Sequence, residues 1–152
     1  MDTTPELVTL AGTPAIAVRA SLGPTELPAF FGPAFGELAA CAGAQVAGPP
    51  FARYHRVDAS GFDVEAVMPV RAPVAVRGRV AAIELAGGPA VQLTHVGPYD
   101  QLMATYATLE RWLAEHHRTR SDAVREVYLT NPADGRAPVD CVTQVIQPVA
   151  PA

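Results

Sequence analysis

The sequence predicts an α+β fold made of two β-α-β-β halves, and three observations carry that expectation. The run Phe62-Asp63-Val64-Glu65-Ala66-Val67-Met68 largely alternates apolar and polar residues, the period of a strand that buries one face. Two longer stretches place apolar residues three and four apart, the period of a helix with one buried stripe. Gly23-Pro24 and Gly97-Pro98 lie 74 positions apart, as do Tyr54 and Tyr128, so punctuation and side chain keep one register along the chain. Pro14-Ala15 and Pro89-Ala90 match at 75, within a one-residue bulge. The halves cover about residues 5–73 and 78–150 of a single domain, 1–152.

In chain order, Leu7 to Ala20 holds two apolar runs broken by Gly12-Thr13-Pro14 and reads as one strand with a turn or bulge inside it. Phe31, Phe35, Leu38 and Ala42 form a helical stripe that Gly43 is placed to end. Pro28 and Pro33 fit only a first turn or a kink, so regular helix is expected from about Gly32. Phe51 to Val57 and Phe62 to Met68 form a hairpin around Asp58-Ala59-Ser60-Gly61. The second half begins with strands 79–85 and 90–96 joined by a hairpin turn at Gly87-Gly88. A helix follows from about Asp100, its N-cap, to His117, with the stripe Leu102, Tyr106, Leu109 and Leu113. Strand 124–129, a turn at Asn131-Pro132-Ala133-Asp134-Gly135 and a last strand from Val139 to Val149 complete it. Two such halves most simply give one antiparallel sheet, or two sheets meeting at a pseudo-twofold axis, with both helices on one face and a ligand groove on the other.

Composition narrows the function classes. A chain of 152 residues with 49% hydrophobic and 17% charged content is that of a globular domain with a core. The net charge of −4, with 11 scattered basic residues, leaves no footprint for direct nucleic-acid binding. No apolar run reaches the 18 or so residues of a membrane span, and the acidic start Met1-Asp2-Thr3-Thr4-Pro5-Glu6 is unlike a secretory signal, which gives a cytoplasmic reading. Cys41 and Cys141 lack any Cys-x-x-Cys spacing and read as small hydrophobes, with a disulfide unsupported.

Val124-Arg125-Glu126-Val127-Tyr128-Leu129 sets one carboxylate inside an otherwise apolar strand pattern. In an extended chain Val124, Glu126 and Tyr128 share a face, so an acid and a phenol stand side by side. Such an acid either faces water at a sheet edge or is desolvated for a purpose. The repeat favours purpose: at offset 74 Glu126 corresponds to Ala52, and a requirement of the fold itself is expected in both halves.

The residues Val96-Gly97-Pro98-Tyr99, then Leu102, Tyr106, Leu109 and Trp112, then Glu126-Val127-Tyr128-Leu129 before Asn131-Pro132, and the ending Ile146-Gln147-Pro148-Val149 carry a family resemblance. In this order the chain resembles the GyrI-like small-molecule-binding domain, which is also the effector-binding part of some AraC-type and MerR-type multidrug-sensing regulators. Tyr54 and the strand Asp63 to Val70 agree less specifically. The resemblance implies a pseudo-symmetric duplicated fold that binds lipophilic, often cationic, aromatic compounds, with the family's ligand-contacting acid at Glu126. It implies two further functions: some stand-alone members are hydrolases that open the strained cyclopropane of DNA-alkylating antibiotics with a glutamate and a tyrosine, and others inhibit DNA gyrase. These 152 residues leave no room for a helix-turn-helix domain beside the two halves, so a role in transcription calls for a separate regulator partner.

Beside that resemblance, a desolvated Glu126 either takes up a proton or stays ionised and attracts a cation. Phe51, Tyr54, Tyr99, Trp112 and Tyr128 are the aromatic candidates for the pocket, and cation–π contact is worth roughly 0.5–2 kcal/mol per ring. As an enzyme, Glu126 would be the base and Tyr128 the first candidate acid. Tyr99 and Tyr106 enter only if their helix end borders the pocket, and Tyr106 and Trp112 at helical spacing also read as core. His116-His117 suits a helix end, His55 and His95 stand alone, and no Gly-x-Ser-x-Gly or phosphate loop occurs, so neither metal nor cofactor is expected. The expected state is monomer or homodimer.

Overall fold

The computed structural model describes residues 2–130 and 137–151, with the backbone alone at Tyr99. The turn expected at Asn131-Pro132-Ala133-Asp134-Gly135 and the side chain of Tyr99 lie outside the described residues. The fold is α+β, with antiparallel strands and two α-helices in a duplicated β-α-β-β plan. The elements are β1 (Glu6–Leu10), β2 (Thr13–Leu22), α1 (Leu27–Ala42), β3 (Phe51–Asp58), β4 (Gly61–Pro69), β5 (Ala81–Leu85), β6 (Gly88–Val96), α2 (Leu102–Glu115), β7 (Val124–Tyr128) and β8 (Val142–Pro148). They form two compact units, Ala11–Gly87 and Met1–Leu10 with Gly88–Ala152.

In the unit Ala11–Gly87 the strands run in the order β3-β4-β2-β5, and α1 packs against β4 and β2. α1 begins at Leu27, five residues before the start expected at Gly32, and Pro33 lies inside it. Pro28 sits in the first turn, where a missing N–H leaves nothing unsatisfied. Pro33 forfeits one later backbone bond, and the helix continues because Phe30, Ala34, Leu38 and Ala42 bury a face at every fourth residue. The buried stripe is therefore shifted from the one expected. Phe31 and Phe35 are half-buried on the flank and stack on each other at 5.6 Å. Gly43 ends the helix with φ 54°, and Gly61 opens β4 with φ 132°, where a Cβ would meet the Leu22 carbonyl oxygen at 1.9 Å. The expected β3–β4 hairpin is present, with a bulge between Tyr54 and Arg56.

In the unit Met1–Leu10 with Gly88–Ala152 the order is β1-β6-β8-β7, and α2 packs on β6. Val91, Leu93, Val145 and Val149 of its sheet side meet Leu102, Leu109 and Leu113 of α2 in one core cluster. Asp100 is not the N-cap. Tyr99–Gln101 is a single 3₁₀ turn closed by Gln101 N–H on the Pro98 carbonyl at 3.1 Å, and Gln101 precedes the helix without a side-chain cap. β8 starts at Val142 rather than Val139, because Pro138–Asp140 is another 3₁₀ turn.

The largest departure from the expected order is an exchange of edge strands. The stretch read as one bulged strand is two: β1 pairs with β6 from Glu6↔Gln92 to Leu10↔Gly88, while β5 pairs with β2 from Thr13↔Leu85 to Ala17↔Ala81. Gly87-Gly88 therefore closes no hairpin. A strand has two hydrogen-bonding edges, and those of β6 are taken by β1 and β8, which leaves none for β5. The chain instead passes from one unit to the other between Leu10 and Ala11 and between Gly87 and Gly88.

Candidate functional site

Strand register decides which side chains meet around Glu126. Glu126 lies opposite Val145, which lies opposite Leu93; Tyr128 lies opposite Thr143, which lies opposite His95. Residues directly opposite in an antiparallel pair share a face, with Cβ atoms about 5 Å apart. Leu93 and Val145 pack on α2. Glu126, Tyr128, Thr143 and His95 therefore stand on the α2 side of this sheet, so the carboxylate is not part of the helix-free face on which a groove was expected.

Two phenols hold the carboxylate. The Tyr128 hydroxyl donates to Oε1 of Glu126 at 2.9 Å, and the Tyr106 hydroxyl, reaching down from α2, donates to Oε2. Glu126 is half-buried as a residue, but its charged end is withdrawn from water. That desolvation pushes its proton affinity above the ordinary glutamate value, and the Tyr106 and Tyr128 hydroxyls pull it partly back. Among the described residues no Arg or His bonds to it, so its partners are neutral donors.

A second acid shows how different that is. Glu65 on β4 is 4% exposed, and its Oε1 accepts from Arg53 Nε at 2.9 Å and Nη2 at 2.8 Å and bonds His55 Nε2. Its charge is met inside the protein by a guanidinium, the usual condition for burying a carboxylate. These two acids thus divide: Glu65 has a cation of its own, and Glu126 has none among the described residues.

Of the residues singled out from the sequence, Glu126 and Tyr128 are together. Trp112 on α2 is half-buried against the same core cluster, and its ring stacks on His116 at 3.9 Å rather than on the carboxylate. Tyr54 and Phe51 belong to the other unit, where Tyr54 meets Phe62 edge-on at 6.3 Å and Phe51 is buried. The side chain of Tyr99 lies outside the described residues. Tyr106 joins the carboxylate although its helical spacing read equally as core, and the available signal was its phenol: a polar tip in a buried stripe needs a partner. A further polar cluster was missed. His95, 2% exposed, bonds Asp2 Oδ1 through Nδ1 at 2.7 Å and the Pro98 carbonyl through Nε2 at 3.0 Å, while Thr105 Oγ1 donates to Asp2 Oδ2 at 2.8 Å. Burial is the largest single effect on the Asp2 carboxyl and raises its proton affinity, but the hydrogen bonds from His95 and Thr105 together with nearby positive charge outweigh it and hold the carboxyl below its usual range. Its members lie 93 and 103 residues apart, beyond the reach of any local pattern.

Two β-α-β-β repeats, each with a helix laid on a four-stranded antiparallel sheet, define a duplicated α+β ligand-binding class of domain. The chain belongs to the GyrI-like small molecule binding domain family, whose model matches residues 3–150. The crystal structure of the EcmrR C-terminal domain is similar to it, with a TM-score of 0.86, 19% identity and 98% of each chain covered. EcmrR in a complex with DNA aligns at 0.86 and 20% identity, where this chain spans 58% of the EcmrR chain. A hydrolase from Listeria innocua aligns at 0.68 and 15% identity, over 97% of this chain and 92% of that one. At these identities the likenesses show the fold. No curated protein sequence is significantly similar to the chain.

Proposed function

We propose that the chain binds a lipophilic, aromatic monocation with Glu126 as counter-ion. The observation that carries this reading is a desolvated carboxylate whose partners among the described residues are two neutral phenols, Tyr106 and Tyr128. Withdrawing a charge from water without a partner of opposite sign is unfavourable, and a bound cation supplies that partner. The two phenol rings add apolar surface and negative π-faces beside it. Likeness in fold to SAV2435, solved bound to tetraphenylphosphonium at a TM-score of 0.64 and 13% identity, gives a suitable probe. Titration of the protein with tetraphenylphosphonium tests the reading: saturable binding that Glu126→Gln weakens supports it, and indifference to that substitution overturns it. A module of this kind would serve drug sensing or antibiotic resistance, alone or beside a regulator, as EcmrR carries its own domain within a longer chain.

Hydrolysis is the second reading, favoured by the same acid lying within hydrogen-bond reach of two phenols. Glu126 would take a proton from water as the water oxygen bonds a strained cyclopropane carbon. The ring C–C bond breaks toward a conjugated carbonyl, and that oxygen takes a proton from Tyr106 or Tyr128. Positioned acid and base contribute about 100- to 10,000-fold each, enough for a strained ring and too little for an amide. Mass spectrometry of a cyclopropane-bearing alkylator after incubation decides: a catalytic gain of one water, lost in Glu126→Gln, makes the protein a hydrolase. A gyrase-binding role predicts instead an effect on gyrase that survives Glu126→Gln.

A further inference from the structure

The α2 side of the sheet holds a buried hydroxyl without a partner among the described residues, and neither reading uses it. Thr143 is 0% exposed, and its Oγ1 has no hydrogen-bond partner among the described residues. It stands on β8 directly opposite Tyr128 and one pair along from Val145, the residue opposite Glu126. On its other side is His95, whose two ring nitrogens are engaged with Asp2 and the Pro98 carbonyl. Thr105 Oγ1, the nearest helix hydroxyl to that ring, is likewise committed to Asp2. The polar groups on the His95 side are therefore spoken for. The Tyr128 side is different, because the Tyr128 hydroxyl is occupied with the group that a bound cation would engage.

A buried hydroxyl left unpaired is unfavourable, and a valine would fill the same space without that penalty. Threonine at this place is explained if its hydroxyl is paired when the site is filled. We infer that Thr143 is a specificity-determining residue that donates a hydrogen bond to an ether, carbonyl or hydroxyl oxygen of the bound cation, so that oxygen-bearing aromatic cations are preferred over all-hydrocarbon ones. The inference rests on the cation reading of Glu126. Entry of a cation draws the Tyr128 side chain off Glu126 and uncovers its cross-strand neighbour Thr143, so charge and acceptor are recognised at adjacent pairs of one sheet face.

The test compares berberine, an aromatic cation with ether oxygens, and tetraphenylphosphonium, a cation without any, on wild type, Thr143→Val and Thr143→Ser. Thr143→Val weakens berberine binding about 2- to 10-fold, the range of one neutral hydrogen bond, and leaves tetraphenylphosphonium affinity unchanged. Thr143→Ser restores berberine binding. Thr143→Val also raises the melting temperature of the unliganded protein, which separates loss of a contact from loss of fold. If Thr143→Val weakens both cations equally, or neither, the inference is overturned while the role of Glu126 stands. If Glu126→Gln leaves the affinity of both cations unchanged, the reading beneath it falls, and the inference with it.

Discussion

Replacing Glu126 by glutamine separates the two demands on this side chain, stability and charge. The amide keeps the shape and can still accept from one phenol, so what is removed is a negative charge whose hydrogen-bond partners among the described residues are neutral. A cation centred about 5 Å from that charge, at an effective dielectric near 20, gains about 3 kcal/mol, of which reorganisation of the two hydroxyls takes back a part. Glu126→Gln should therefore weaken tetraphenylphosphonium by about 2–3 kcal/mol, roughly 30- to 150-fold, as read by calorimetry at neutral pH. The anion tetraphenylborate, of the same shape, should not bind wild type. Proton linkage gives an independent check. Burial raises the pKa of Glu126, so the folded protein holds a proton over a range where the unfolded chain has released it. The stability due to this group is thus fully present below the ordinary glutamate value and is lost as pH rises through the folded value, and Glu126→Gln should be the more stable protein at neutral pH. Cation affinity moves the opposite way: in wild type it climbs as Glu126 ionises and then levels, and in Glu126→Gln it is flat with pH. Equal affinity of the variant, or binding of tetraphenylborate as tight as that of the phosphonium, would refute the counter-ion argument.

Other outcomes follow from the same structure. Tyr106→Phe or Tyr128→Phe removes a donor that holds the carboxyl down, so the midpoint of the pH dependence of cation binding should move upward, further in the double variant. Glu65→Gln should behave opposite to Glu126→Gln: Arg53 and His55 lose a buried carboxylate, and chemical denaturation should record a loss of about 3–5 kcal/mol. Gly61→Ala should destabilise by at least about 1–3 kcal/mol, through its φ of 132° and the approach of the new Cβ to the Leu22 carbonyl. Leu109→Ala, at a position 1% exposed in the cluster under α2, should lower stability by about 2–5 kcal/mol and blunt cation binding as the helix bearing Tyr106 loosens.

Local patterning along the chain was enough for the element types, the duplicated plan and the position of the acid. Alternation placed Phe51 to Val57 and Phe62 to Met68 close to the observed β3 and β4, and the stripe of Leu102, Leu109 and Leu113 placed α2. These features rest on contacts between residues near in sequence, where a period of two or 3.6 is enough. The single acid at 126 against Ala52 was visible because a duplication exposes what one half lacks. Tertiary structure alone decided the partners. Whether Leu7 to Leu10 belongs beside β2 or β6 is a choice of edge, and edges carry no local signature; β1 went to β6 and turned the expected hairpin at Gly87-Gly88 into a crossing. Tyr106 and Tyr128 both reach Glu126 because α2 lies over that strand face, a relation between residues 20 apart that helical spacing cannot distinguish from core packing. That Glu65 received a guanidinium was likewise settled by cross-strand register, while the partners of Glu126 among the described residues are two phenols, and a withdrawn charge takes its character from whichever groups the fold sets around it.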